Sequence, residues 1–252
     1  MNSAINKFFL ATNTIENVSD EEYQKVNLLV NAAKAFARST YQCVYIIDYF
    51  KREFVYVSEN LALLCGQPAD EIKNFGYDLY LKHVPENELG MLLEINEKGF
   101  ELYSTIPSQE RTSYSIQYDF HLTNERKSHL INHTLTPLIL TPDGKIWLAL
   151  CTISMSSRNA PGHIIMKKED SKQYHEYDLK QHKWILKKEK PLSEAERDIL
   201  WLSTQGYTMT EIADKLCKSV DTIKSCKRLL FARLGVTNIA EALHHAVNYK
   251  LI

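Results

Sequence analysis

Glycine and proline are scarce, 8 and 7 in 252 residues. The chain has no G-x-G-x-x-G, no phosphate loop, no G-x-S-x-G and no H-E-x-x-H, the spacings that cradle phosphate or build common hydrolytic sites. No catalytic residues and no metal site are expected. The 5 cysteines, Cys43, Cys65, Cys151, Cys217 and Cys226, form no CxxC pair, and an odd number argues against a disulfide framework, so reduced thiols are expected. The longest nearly uncharged apolar run, Ile146 to Met155, falls short of the roughly 20 residues that span a bilayer. Met1 to Leu10 lack a basic start followed by an apolar core and a small-residue cleavage site. The expectation is a cytoplasmic protein that does not enter a membrane.

What is present is ordinary globular composition, 44% hydrophobic and 24% charged, with a net charge of −1. Divided along the chain, that charge is uneven. Residues 1–160 hold 14 basic against 19 acidic side chains, residues 161–189 hold 7 against 5, and residues 190–252 hold 9 against 7. An acidic front and a mildly basic rear suggest separate tasks, with polyanion contact at the rear.

The first helix signal is Ser19-Asp20-Glu21-Glu22, a capping box in which each side chain satisfies an orphan backbone donor. Tyr23, Val26, Val30, Ala33 and Ala37 follow at steps of three and four. The seam has two readings, packing on its own domain or pairing in a dimer. From Cys43 the pattern turns to strands: Cys43–Asp48 and Phe54–Ser58 flank a polar Lys51-Arg52-Glu53 and predict a hairpin. Asp48, at a strand end without any β-α alternation, reads as a local cap rather than a phosphoacceptor.

Helical stretches are predicted at Glu59–Leu64, after Pro68, and from about Pro85 to Lys98. The clearest strand is Tyr114–Leu122, with Tyr114, Ile116, Tyr118, Phe120 and Leu122 on one face and Ser115, Gln117, Asp119 and His121 on a wetter one. Leu130–Leu140 and Lys145–Ser154 are joined by the turn Thr141-Pro142-Asp143-Gly144. Two strands, short helices and three long strands predict an α+β domain: a five-stranded antiparallel sheet with helices on one side. Residues 158–189 are expected to be a linker with possible short strands at His163–Met166, Tyr174–Tyr177 and Lys183–Leu186.

The rear predicts four helices. Ser193 with Glu196 and Thr208 with Glu211 form capping boxes; Ser219 and Asn238 open the third and fourth helices. Two short helices, the turn Cys217-Lys218-Ser219 and a longer cationic helix make a helix-turn-helix pattern. At about 100° per residue, Val220, Ile223, Cys226, Leu230 and Leu234 face inward, while Asp221, Lys224, Ser225, Arg228 and Ala232 face out. Arg and Lys on such a helix donate to guanine O6 and N7 in the major groove, and Ser reads either edge. Thr208, Thr210, Ser219 and Thr222, near helix starts, are suited to holding phosphate, and Asn238 is counted with them as a DNA contact. Lys227 is grouped with these residues as a DNA contact.

The stretch Leu192–Leu200, Gly206, Glu211–Leu216, Ser219–Lys224, Leu234-Gly235-Val236 and Glu241-Ala242 resembles the LuxR-type (GerE-like) DNA-binding domain across residues 190–252. The resemblance implies a bacterial transcription regulator that binds double-stranded DNA as a homodimer, with Lys224, Ser225 and Arg228 reading bases and the final helix forming a dimer surface. Cys226 stands where the family often has His, and Ile239 where it often has Arg. Residues 42–157 resemble a PAS sensor domain through Phe54–Asn60, Leu64-Cys65-Gly66, Asp70-Glu71-Ile72, His83–Asn87 and the closing strands. That likeness implies a signal, small molecule or protein, or a dimerisation module without a ligand.

No cofactor is expected. Cys65 lacks the flavin-adduct context, and His83, His121, His129 and His133 are haem candidates in number only. The expected domains are a helical segment at 1–41, the PAS-like domain at 42–157, the linker at 158–189 and the all-α four-helix domain at 190–252. A PAS interaction module whose helix-turn-helix does not bind DNA is the alternative.

Overall fold

The structure, a computed structural model, describes residues 5–40, 42–60, 65–124, 127–249 and 251. The chain divides into two compact units, residues 1–155 with 160–188, and residues 156–159 with 189–252.

The first unit is built on one antiparallel sheet. The strands are β1 (Cys43–Asp48), β2 (Glu53–Val57), β3 (Tyr114–Thr123), β4 (Ser128–Leu140), β5 (Ile146–Met155), β6 (Gly162–Lys168), β7 (Gln173–Asp178) and β8 (Lys183–Lys188). Their order is β2-β1-β5-β4-β3-β6-β7-β8. The expected hairpin forms with Asp48 opposite Glu53. Asp48 is indeed a cap: Oδ1 accepts from the backbone N–H of Phe50 (2.9 Å) and Lys51 (3.0 Å), and Oδ2 from the Tyr23 hydroxyl (2.6 Å). β5, apolar at nearly every position, lies between β1 and β4 as a central strand should.

Three features correct the sequence reading. First, the sheet has eight strands, because residues 158–189 are not a linker: β6 pairs with β3, β7 with β6 and β8 with β7. Ile164, Met166, Tyr177 and Trp184 supply apolar side chains to the main core. Helix α5 (Glu86–Ser104) fastens the added hairpin, as Glu94 accepts from the Tyr177 hydroxyl (2.7 Å) and pairs with His182, while Trp184 Nε1 donates to the Lys98 carbonyl (3.0 Å).

Second, helices lie on both faces. α3 (Ala69–Phe75), α4 (Asp78–His83) and α5 pack on the inner face, with Ile72, Leu79, Leu92 and Ile95 buried among Tyr45, Phe54 and Phe120. On the outer face, Val26, Ala33 and Ala37 of α2 (Val26–Ser39) are buried with Val44, Ile46, Trp147 and Leu148. α2 follows the short α1 (Asp20–Gln24), whose Ser19–Glu22 capping box forms. Its seam is therefore the surface that packs on its own domain.

Third, residues before β1 are not a separate segment. Ile5 and Phe8 join the inner core, and the buried Asn13 side chain pairs with Ile146 like a strand residue, its amide donating to the carbonyl (3.0 Å) and its oxygen accepting from the N–H (2.8 Å). The predicted helix at Glu59–Leu64 lies largely outside the described residues.

The face of β3 expected to be wetter carries a fully buried Asp119, which accepts from Asn132 (2.9 Å). His121, expected at the surface, is half-buried and held by the buried Glu88, whose carboxylate accepts from its backbone N–H (2.8 Å) and pairs with its ring (2.7 Å). Inside, the Tyr45 hydroxyl lies 2.6 Å from both the Tyr80 hydroxyl and His133 Nε2. Burial pushes the His133 imidazole down to about 3. Against α5, β3 and β4 border a small, half-open cavity lined by Tyr49, Phe100, Tyr103, Tyr114, Tyr118 and Met166 among others.

The second unit holds α6 (Glu194–Thr204), α7 (Met209–Lys215), α8 (Val220–Leu234) and α9 (Ile239–Asn248). Leu192, Leu200, Leu230, Leu234, Ala242 and Ala246 form one cluster, and Ile199, Ile212, Ala213 and Ile223 another. Among the described residues no helix is long and apolar enough to cross a membrane.

Candidate nucleic-acid interface

Each helix of the second unit starts where its sequence signal stands. Ser193 and Thr208 accept from the N–H of Glu196 and Glu211, whose carboxylates return to the cap backbone. Ser219 caps α8 by accepting from Thr222, and Gly235 ends it in the left-handed conformation that a side chain resists. Asn238 accepts from Glu241, but the Glu241 carboxylate returns one residue further, to the Thr237 N–H (2.7 Å).

These caps orient α8 around buried Ile223, Leu230 and Leu234, with Val220 and Cys226 half-buried beside them. Asp221, Lys224, Ser225, Arg228 and Ala232 are exposed, as expected. Arg228 has no hydrogen-bond or ion-pair partner among the described residues, whereas Lys224 Nζ lies 3.6 Å from Asp221 Oδ1. Lys227 falls on the inward flank: it is half-buried, its ammonium sits 5.9 Å from the Phe231 ring centre, and burial lowers its pKa. Sequence reasoning passed over Leu229, 64% exposed beside Ser225 and Arg228 on the outward surface. Its signal was available, a leucine that breaks the inward period, and a methyl-rich side chain there suits the thymine methyl group.

The hydroxyl residues divide. Thr210 and Thr222 are exposed, although Thr222 Oγ1 is 2.8 Å from Ser219 Oγ. Thr208, Ser219 and Asn238 spend a side-chain oxygen on capping. Over α7, the Glu211 carboxylate accepts from the Thr208 N–H (2.7 Å) and hydroxyl (2.8 Å), so a carboxylate already holds part of the donor set expected for phosphate. The free donors at that helix start are the next backbone N–H groups.

The turn between α7 and α8 is tight. Cys217 there is exposed and takes φ 51°, a left-handed conformation more usual for glycine. Ile239, in the position the resemblance marks as unusual, is half-buried against the cluster of α6, α8 and α9. On α9, Val247 is 61% exposed.

Three helices around a tight turn, the third presenting exposed cationic and apolar side chains outward, define a helix-turn-helix unit. Residues 190–246 match the family described as "Bacterial regulatory proteins, luxR family". The second unit is a LuxR-type helix-turn-helix domain. Over 69 residues, 27% of this chain and 31% of the relative, the chain is 35% identical to the transcriptional activator protein BglJ of Escherichia coli K12. Over 63 residues, 25% of this chain and 29% of the relative, it is 40% identical to the transcriptional regulatory protein RcsB of the same strain. The chain thus spans about a third of the length of these curated relatives. Among solved structures, a phage VqmA–DPO complex aligns over 91% of each chain at 13% identity and TM-score 0.31. The N-terminal domain of a diguanylate cyclase with PAS/PAC sensor from Marinobacter aquaeolei aligns over 45% of this chain and 94% of its own at 10% identity and TM-score 0.36.

Proposed function

We propose that the protein is a cytoplasmic, non-enzymatic transcription regulator that binds double-stranded DNA as a homodimer, under control of a PAS-like sensor in its first unit. The observation that carries this is the outward face of α8, where Lys224, Ser225, Arg228 and Leu229 are exposed opposite buried Ile223, Leu230 and Leu234. In this reading α8 enters the major groove, Arg228 and Lys224 donate to guanine edges, Ser225 reads an adjacent edge and Leu229 meets a thymine methyl. Thr210 and Thr222, with the open N–H groups of α7 and α8, hold phosphate, and Thr208, Ser219 and Asn238 act chiefly by setting the helix starts. Two subunits would read half-sites about one helical turn apart.

The sensor reading rests on β1–β5 with α3–α5 over one face, and on the cavity between α5, β3 and β4 as the place for a small-molecule signal. A signal that favours one dimer arrangement would change DNA affinity through linkage. Asp221 on the reading face and Glu211 over α7 favour the second reading, an interaction module whose helix-turn-helix binds no DNA, because both carboxylates repel phosphate.

A salt titration of binding to random duplex separates the two. Phosphate neutralisation makes log K fall steeply and linearly with log salt. No measurable duplex binding at low salt leaves only the interaction module.

A further inference from the structure

Met155 ends β5 and Gly162 begins β6, yet these strands are not neighbours in the sheet, because β4 and β3 lie between them. At the usual strand spacing the connection crosses roughly 14 Å, and a chain of its length reaches at most about 25 Å. It is a strap across one end of the sheet rather than a loose loop. Ser156–Asn159 of this strap belong to the second unit.

Ser157 is buried, its hydroxyl 3.1 Å from Nδ1 of the buried His245 on α9. Arg158 donates from Nη1 to the Leu234 carbonyl at the end of α8 (3.5 Å), and its guanidinium sits 5.8 Å from the ring centre of Tyr249, just past α9. A cation on the last carbonyls of a helix meets the negative end of its dipole. Gly235 leaves room for this approach, since a Cβ there would stand 3.1 Å from Arg158 Nη1. Both strands that hold the strap also border the cavity, through Ile146 of β5 and Met166 of β6, with Ile116 of β3 opposite Met166.

We propose that Ser157 and Arg158 are positioning residues that carry the state of the cavity to α8 and α9, which makes the strap the coupling element of the regulator. The inference rests on the sensor and DNA-binding readings above and says which residues join them. A molecule that fills the cavity pushes on Met166 and Ile116 and so shifts β6 against β5. The strap is anchored in both strands, so its middle moves with them, and Ser157 and Arg158 pass that movement to the C-terminal ends of α8 and α9. Coupling needs an element whose arrangement both sites bias; the strap is held by the cavity strands at its ends and by the DNA-reading helices at its middle.

The test is a mutant cycle on the full chain that needs neither an identified ligand nor DNA. Gly99 of α5 lines the cavity, where a Cβ would stand 3.1 Å from Ile116 Cδ1. Gly99→Leu therefore fills the cavity, and Gly99→Ala gives a smaller push should the larger side chain unfold the protein. Hydrogen–deuterium exchange is read over residues 230–249. With the strap intact, the cavity substitution is expected to change exchange there by about threefold or more. In a chain carrying Ser157→Ala and Arg158→Ala it is expected to change nothing there, while exchange around the cavity shifts equally in both. A merely structural strap would loosen residues 230–249 on its own and leave the two effects additive. Additive effects, or a shift around the cavity that never reaches 230–249 with the strap intact, overturn the proposal. Duplex binding by the same chains is expected to follow the same pattern; no binding by any of them sinks the DNA reading and leaves the strap to be judged by exchange.

Discussion

Lys224 Nζ lies 3.6 Å from Asp221 Oδ1 on the exposed face of α8, so the cation best placed beside Arg228 is shared with a carboxylate one turn earlier. That pairing lowers the positive field of the face and leaves Arg228 as its unshared charge. Removing the carboxylate without changing its shape is therefore expected to strengthen binding. Asp221→Asn should tighten duplex binding by about two- to fivefold at low salt, the scale of an exposed ion pair, and less at high salt. Fluorescence anisotropy against duplex checks it, and weaker binding would mean that Asp221 itself contacts a base.

Arg228 should behave as a reader rather than a generic cation. On a selected target, Arg228→Ala is expected to cost about 1–3 kcal/mol and to relax preference at one base pair. Equal weakening on every sequence would reassign Arg228 to the phosphates.

Ile223 is fully buried where α8 meets α7 and α6. Ile223→Ala should destabilise the second unit by about 2–5 kcal/mol. Urea unfolding followed by helical circular dichroism should show an earlier transition, with DNA binding lost in step with it. Unchanged unfolding would contradict the packing of α8.

His133 gives the first unit a pH dependence of known sign. Burial holds its folded pKa near 3, below the model-peptide value of about 6.5, so below pH 6.5 the unfolded chain binds the extra proton. Stability from this group is fully present above pH 6.5 and is lost as pH falls toward 3, by up to about 1.4 kcal/mol per pH unit. Urea midpoints measured from pH 7 to 4 should fall, and His133→Gln should flatten that slope. An equal slope in the variant would show that other groups carry the acid sensitivity.

The five thiols should separate by access. Cys43, Cys65 and Cys151 are buried, and burial pushes the Cys43 and Cys65 thiols up to about 12. Cys217 is exposed in the α7–α8 turn. Brief native alkylation followed by mass spectrometry should label Cys217 first, with the three buried thiols reacting only after unfolding. Rapid labelling of Cys65 would mean that the core around it opens.

The rear domain was legible because its information is local. Ser193, Thr208, Ser219 and Asn238 each bond to a backbone N–H three residues away, and Gly235 stops α8 by its own φ. Such signals do not depend on what the helices later pack against. The hairpin at Asp48, the strand at Tyr114–Leu122 and the turn at Gly144 were readable for the same reason, although which face of that strand is wet was not, since Asp119 is buried.

Residues 158–189 were not. Asp170 and His182 take left-handed turns without glycine, so the usual turn marks are absent, and the strands are short and lysine-rich. Ile164, Tyr177 and Trp184 become core residues only because β3 offers an edge and α5 offers Glu94 and the Lys98 carbonyl. Lys227, grouped with the DNA contacts by its charge, lies half-buried near the Phe231 ring, which its neighbours three and four residues away already indicate. The sequence by itself determined where helices start and stop and which face of α8 carries charge, since those depend on neighbours three and four residues apart. Tertiary structure alone decided that the sheet has eight strands and that the seam of α2 faces it, because burial depends on residues far away in the chain.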